Sequence, residues 1–243
     1  MKILIFDLVG KMGHFRKIDT NSSSLSYSFP PRTTIAGILA GILGMERDSY
    51  YDLFSPQQCQ LAVSVRTRVR KMMQTVNYMF VKGKGDFNNS KGHTQIPLEF
   101  VLPKEEDHLR YRIYFSHSDR SVYERVRERI QANRYIYPPY LGISELLGQL
   151  EWVAEAEGIL MESHDLVPIH SVVRVSDLRE RSIQFSKETR FLKEFMTRQF
   201  INGRMIQATD YYVFEQSRQM VAIPTVPYVA VAYGGEKENI LWM

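Results

Sequence analysis

The sequence predicts an α+β protein, and three observations lead to that class. Apolar segments with strand character and two helical segments follow one another over residues 1–157 in the order strand, helix, strand, strand, helix, strand. That order is the split βαβ, ferredoxin-like pattern. A glycine-, asparagine- and lysine-rich stretch interrupts it and reads as the turn of a long basic hairpin, about 70–103. From residue 158 to 243 the chain becomes β-rich and less regular, which predicts a second, smaller C-terminal region.

The first strand is "KILIFDLVG", apolar on both faces and closed by Gly10. A polar loop follows, "KMGHFRKIDTNSSSLSYSFPPR". The segment "SFPPRTTIAGILAGILG" is the first helix, with Thr33 or Thr34 as the expected N-cap and Gly44 as the stop. Its small residues Gly37, Ala40, Gly41 and Gly44 recur at helical spacing. Glycine costs about 1 kcal/mol relative to alanine inside a helix, so they imply a close neighbour. In "QLAVSVRTRVRK", Val63, Val65, Thr67 and Val69 alternate with Ser64, Arg66, Arg68 and Arg70, which predicts a strand with an arginine-bearing face. "MMQTVNYMFV" and "TQIPLEFVL" flank the turn "KGKGDFNNSKGH", where Asn88 and Asn89 stand among the glycines. "LRYRIYFSH" is a strand, and "SVYERVRERIQ" a helix with Ser121 and Glu124 as a capping box. After the turn "YPPY" come a short helical "LGISELLG" and the strand "EWVAEAE". In the C-terminal region "HSVVRV", "QATDYYVFEQ" and "YVAVAYG" are expected strands, and "KETRFLKEFMTRQF" an expected helix.

Composition narrows the function. No run of about 18 apolar residues occurs, so no membrane-spanning helix is expected. "MKILIFDLVGK" has four apolar residues before Asp7, too few for a signal-peptide core, and Cys59 is the single cysteine. A cytoplasmic protein without disulfides follows. Net charge is +4, but its distribution is uneven. Between residues 66 and 93, seven Lys/Arg face the single acid Asp86, so that window carries +6 and the other 215 residues sum to −2. A local excess of this kind suits a polyanion such as nucleic acid, or a solvated loop.

Catalytic motifs are sparse. The six histidines show no metal-ligand spacing, and there is no nucleophile elbow, phosphate-binding loop or dinucleotide fingerprint, so neither metal nor cofactor is expected. Metal-free RNA cleavage, which needs a base, an acid and a cation, could draw on His14, His93 or His117 with a lysine or tyrosine. Binding needs less. Arginines at alternate strand positions stand about 6.5–7 Å apart, close to the phosphate spacing of a single strand. Tyr78, Phe80 and Phe87 lie among Lys82 and Lys84, where the rings could stack bases or pack the hairpin; packing is expected for Tyr78 and Phe80. Arg32 at the first helix's mouth suits an anion, or simple solvation.

Three stretches carry a family resemblance: "GKMGHFRKIDTNSSSLSYSFPPRTTIAGILAGILG", "ERDSYYDLFS" and "YPPYLGISE". They resemble the fifth CRISPR-associated (Cas) protein family, in the branch found in type I-B Cascade complexes, over most of residues 1–157. The resemblance implies an RNA-recognition-motif-like (RRM-like) palm with the hairpin at about 70–103 as a thumb. It further implies a Cascade subunit that caps the 5′ handle of the crRNA and contacts the backbone subunit and the large subunit. Target DNA would be met near its PAM-proximal end through the complex. The RNA-binding residues expected on this basis are Lys11, His14, Arg16, Arg32, Arg66, Arg68, Arg70, Lys71, Lys82, Lys84, Lys91 and His93. In another subtype the family member cleaves precursor crRNA with a Tyr, Lys and His set that includes adjacent Lys and His. Here Gly92 separates Lys91 from His93, and Ser116 precedes His117. The expectation is therefore a binding subunit, with a metal-independent endoribonuclease, or an adaptor whose basic surface meets acidic protein, as the alternatives.

Overall fold

Fifteen strands and two α-helices make up the computed structural model, which describes every residue of the chain except Asn21, Ser22, Asn89, Ser217 and Arg218. In chain order they are β1 (Lys2–Gly10), β2 (Phe15–Arg16), β3 (Ser26–Tyr27), α1 (Arg32–Leu43), β4 (Cys59–Val65), β5 (Val69–Met79), β6 (His93–Pro103), β7 (Leu109–His117), α2 (Arg120–Gln131) and β8 (Gln149–Met161). Then come β9 (Val167–Ile169), β10 (Val173–Arg174), β11 (Phe191–Ile201), β12 (Met205–Glu215), β13 (Met220–Ala222), β14 (Tyr228–Tyr233) and β15 (Glu236–Ile240). No helix among the described residues is long and apolar enough to cross a membrane.

Six strands form an antiparallel sheet in the order β15-β14-β8-β1-β7-β4. β1 lies inside it, which explains its continuous apolar run. Leu4, Phe6 and Leu8 meet the core that also holds α1 and α2, while Ile3 and Ile5 meet Val229, Val231 and Ile240. The sheet curls until its two ends approach. The Met243 N–H donates to Leu61 O at 2.8 Å, and the Val172 N–H to Val63 O at 2.7 Å, so both hydrogen bonds land on β4. The second face of the sheet is therefore covered by the chain's own C-terminal strands.

α1 explains its small residues. Gly44 takes φ +74° at the C-cap, and a Cβ there would come within 2.9 Å of Ile136. A Cβ at Gly37 would lie 3.1 Å from the Tyr50 hydroxyl. The backbone N–H groups of Ile136 and Tyr137 reach Ile42 O and Gly41 O, both at 3.2 Å, so the close neighbour is the bent segment after α2. The N-cap is Pro31 rather than Thr33 or Thr34, and its carbonyl accepts from Thr34 and Ile35. α2 is capped by Asp119, whose carboxylate accepts the Ser121 N–H, two residues earlier than the Ser121 box expected.

Three further expectations change. Residues 141–148 are bends and turns, not a short helix. Gly142 takes φ +98°, and a Cβ there would fall 1.8 Å from His14 O, so this loop is pressed against the β2 segment. Residues 191–201 form β11, which pairs with β12 over its whole length, where a helix was expected. The strand through residues 60–71 is broken: β4 ends at Val65 and β5 begins at Val69. Thr67 Oγ1 donates to His108 O at 3.0 Å and anchors the break.

Candidate nucleic-acid interface

The alternating patterns on either side of the glycine-rich turn do pair. β5 and β6, eleven residues each, run antiparallel from Val69↔Pro103 to Met79↔His93. Only the root is held by the body. Leu98 and Val101 are buried, Gly13 exchanges both backbone bonds with Val101, and Ser24 is bonded to Pro97 and Glu99. The outer half is exposed on both faces. A two-stranded ribbon standing clear of the core gains little from burial, so its tip needs polar ties. The Lys82 and Gly83 N–H groups donate to Asp86 at 2.9 and 3.0 Å, and Lys91 Nζ lies 2.7 Å from the same carboxylate. The Lys91 bond and those N–H groups hold Asp86 below its usual range. Asn89, expected in this turn, lies outside the described residues.

Along the ribbon Arg70, Lys82, Lys84 and His93 are exposed, as are Lys11 and Arg16 on the loop beside its root. Among the described residues none of these six lies within 4.0 Å of a carboxylate. Tyr78 is 43% exposed and Phe87 67%, so Tyr78 is open rather than packed as expected. Phe80 is half-buried, with Lys82 Nζ 5.3 Å from its ring centre. Arg68 is exposed too, but its carbonyl accepts from Lys104, which brings it next to the acidic residues Glu105, Glu106 and Asp107. The unpaired lysines and arginines of the ribbon are therefore Arg70 at its root and Lys82 and Lys84 near its tip.

Four expected contacts are turned inward. Arg32 is 2% exposed, and its Nη2 donates to Phe54 O and Cys59 O at 2.8 and 2.7 Å. The mouth of α1 is closed over by the segment before β4, so no anion reaches it. Burial pulls the Arg32 pKa down. His14 is buried: Nδ1 donates to Glu99 O at 2.7 Å, and Nε2 meets Ser24 Oγ at 3.0 Å. Burial, with the charge of Arg16, lowers its pKa and favours the neutral ring, outweighing the Glu99 carbonyl bond, which raises it. Arg66 does not join Arg68 and Arg70 on an open face. Its side chain is 8% exposed, and Nη2 lies 2.6 Å from Glu238 of β15 and 3.0 Å from the Tyr233 hydroxyl. Tyr114 and Tyr233 also donate to Glu238. Lys71 points into the root, 2.6 Å from Ser26 O, 3.3 Å from Glu99 and 3.7 Å from Glu194. Lys91 stays exposed but is paired to Asp86.

The carboxylates that pair with Lys71 and Arg66, namely Glu99, Glu194 and Glu238, were not read from the sequence. Glu238 alternates with Glu236 in "GEKENI", a strand pattern that could have exposed it; Glu194 lay hidden in the segment taken for a helix. A neighbouring set on the same covered face, Asp7 with Arg110 and Arg112 at 2.8 Å each, is likewise self-paired.

A curled antiparallel sheet backed by two helices, with a basic ribbon standing out from it, defines an α+β protein equipped with a solvent-facing cationic arm. The chain belongs to the CRISPR-associated protein (Cas_Cas5) family, whose model matches residues 3–208. A crystal structure of a CRISPR protein from Archaeoglobus fulgidus is similar over 98% of this chain and 99% of that one, at 14% identity and TM-score 0.60. A chain of a CRISPR RNA-guided surveillance complex is similar over 91% of each, at 11% identity and TM-score 0.53. At these identities the likeness is one of fold. No curated protein matches the chain.

Proposed function

We propose that the chain is a non-catalytic crRNA-binding subunit of a type I CRISPR Cascade effector, working in the cytoplasm. It caps the 5′ handle, sits between a backbone subunit and the large subunit, and meets target DNA near the PAM-proximal end through the complex. The palm is ferredoxin-like, a reading supported by the strand order β8-β1-β7-β4 with α1 and α2 as its crossovers. The β5–β6 ribbon is the thumb. Family membership over residues 3–208 supports the assignment. One observation carries it: Arg70, Lys82 and Lys84 line an exposed ribbon without carboxylate partners, beside the open rings of Tyr78 and Phe87. Free cations interleaved with exposed rings suit a single strand, whose phosphates and bases they engage together.

The arrangement also supports binding without cleavage. His117 accepts the Asp119 N–H at Nδ1 and donates from Nε2 to Leu53 O, both at 2.9 Å, so both ring nitrogens are engaged. His14 is buried with both nitrogens engaged. The test is titration of labelled repeat-handle RNA with the pure protein in EDTA. Binding that weakens with salt and leaves the RNA intact supports the proposal. Cleavage that is lost on replacing His93 or His117 would return the endoribonuclease.

A further inference from the structure

The second hairpin, β11–β12, was not foreseen, and its outward face is unexplained by packing. We propose that this face is a stacking site for unpaired bases of single-stranded RNA, an inference that rests on the RNA-binding function proposed above. Phe195 and Tyr211 stand directly opposite each other in the register, with ring centres 4.8 Å apart and planes tilted by 45°. They are 40% and 49% exposed. Met196 and Tyr212, the next residue in each strand, are fully buried. The hairpin is thus anchored by one face and presents the ring pair with the other.

One cation stands over this ring pair, and a second over the ring of Phe200, which packs against Tyr51 beside α1. Lys193 Nζ lies 4.4 Å from the centre of the Tyr211 ring, and the Arg204 guanidinium 5.9 Å from that of Phe200. Among the described residues neither Lys193 nor Arg204 has a carboxylate within 4.0 Å. Glu194, the acid between Lys193 and Phe195, is turned away to Lys17 and Ser28 at 2.6 and 2.9 Å. An exposed cross-strand ring pair by itself stabilises a hairpin and needs no ligand. Here it comes with the unpaired ammonium of Lys193 over Tyr211, and that charge favours a polyanion with flat apolar faces. Single-stranded nucleic acid has both. The exposed ammonium over Tyr211 is weakly held, so an arriving base displaces it toward a phosphate. Position agrees as well: Glu194 lies 3.7 Å from Lys71, which sets this hairpin beside the root of the β5–β6 ribbon.

The experiment compares three full-length proteins on the same fluorescent handle RNA across a salt series: wild type, Phe195→Ala with Tyr211→Ala, and Arg70→Ala with Lys82→Ala. The ring variant is expected to bind about tenfold or more weaker, with its salt slope unchanged, because stacking is lost and no phosphate contact is. Tyr211→Phe should bind as wild type does. The cationic variant should flatten the slope. In parallel, 4-thiouridine RNA irradiated on the wild-type protein should cross-link to the peptide spanning 191–215. Unchanged affinity of the ring variant, or cross-links confined to other peptides, overturns this inference and leaves the thumb intact. Absence of RNA binding by the wild type overturns both.

Discussion

Replacing Arg66 by alanine should cost stability rather than RNA affinity. Arg66 is the cation of a closed cluster: its partner Glu238 has a side chain only 4% exposed and is also bonded by Tyr114 and Tyr233. Removing one member of a buried pair leaves an uncompensated charge and costs about 3–5 kcal/mol. The two tyrosine hydroxyls remain as donors, which argues for the lower end, about 3 kcal/mol. In a chain of this length each kcal/mol moves the melting midpoint by about 2–4 °C, so a fall of about 6–12 °C is expected. Urea denaturation of Arg66→Ala, and of Arg66→Met with Glu238→Leu, measures it. The double change removes both charges and should recover much of the loss. Acid should narrow the gap. Burial pushes Glu238 up, but the Tyr114 and Tyr233 bonds and the Arg66 charge outweigh it and hold the carboxyl below its ordinary value. In the wild type this contribution is therefore present above the unfolded value near 4.5 and lost as pH falls through the folded one. Without Arg66 the stranded carboxylate takes up a proton more readily. A loss below about 1 kcal/mol accompanied by weakened RNA binding would refute the reasoning and restore Arg66 to the RNA surface.

Gly142→Ala should destabilise the fold by several kcal/mol or prevent folding, because φ is +98° and the added methyl meets His14 O at 1.8 Å. Gly41→Ala, whose methyl would meet only Tyr137 at 3.9 Å, should be neutral or stabilise α1 by up to about 1 kcal/mol; thermal melts of the pair check both. Buried, neutral His14 makes stability pH-dependent. With its folded pKa below the ordinary 6.5, stability is complete above that value and falls as pH drops through it toward the folded one. Urea midpoints at pH 7.5 and 5.0 should differ more for wild type than for His14→Gln.

Particular residues show what could be read from the chain and what could not. β1 was legible as an unbroken apolar run, the two helices by their spacing and the β5–β6 ribbon by its glycine-rich turn, and Gly44 stops α1 where the sequence placed it. β11 was misread because Phe191, Leu192, Phe195 and Met196 fall at helix-like intervals. In the fold Phe191 packs on the C-terminal apolar cluster, Met196 enters the main core and Phe195 faces water. A strand with different environments at each position loses its period-2 signature. The arginines were misjudged for a different reason. Glu238 lies 172 residues from Arg66 in the chain, and the carbonyls that hold Arg32 come from Phe54 and from Cys59 at the start of β4. Local charge counts place cations; only the tertiary fold decides which of them remain free.

The most direct measurement of the central claim is the salt dependence of handle-RNA binding by the wild-type protein and by the Arg70→Ala, Lys82→Ala, Lys84→Ala variant. The account predicts that log affinity falls linearly with log salt, and that the variant's slope is smaller by about 0.7 for each phosphate contact removed, or about 2 if all three cations engage. Equal slopes for the two proteins would contradict it.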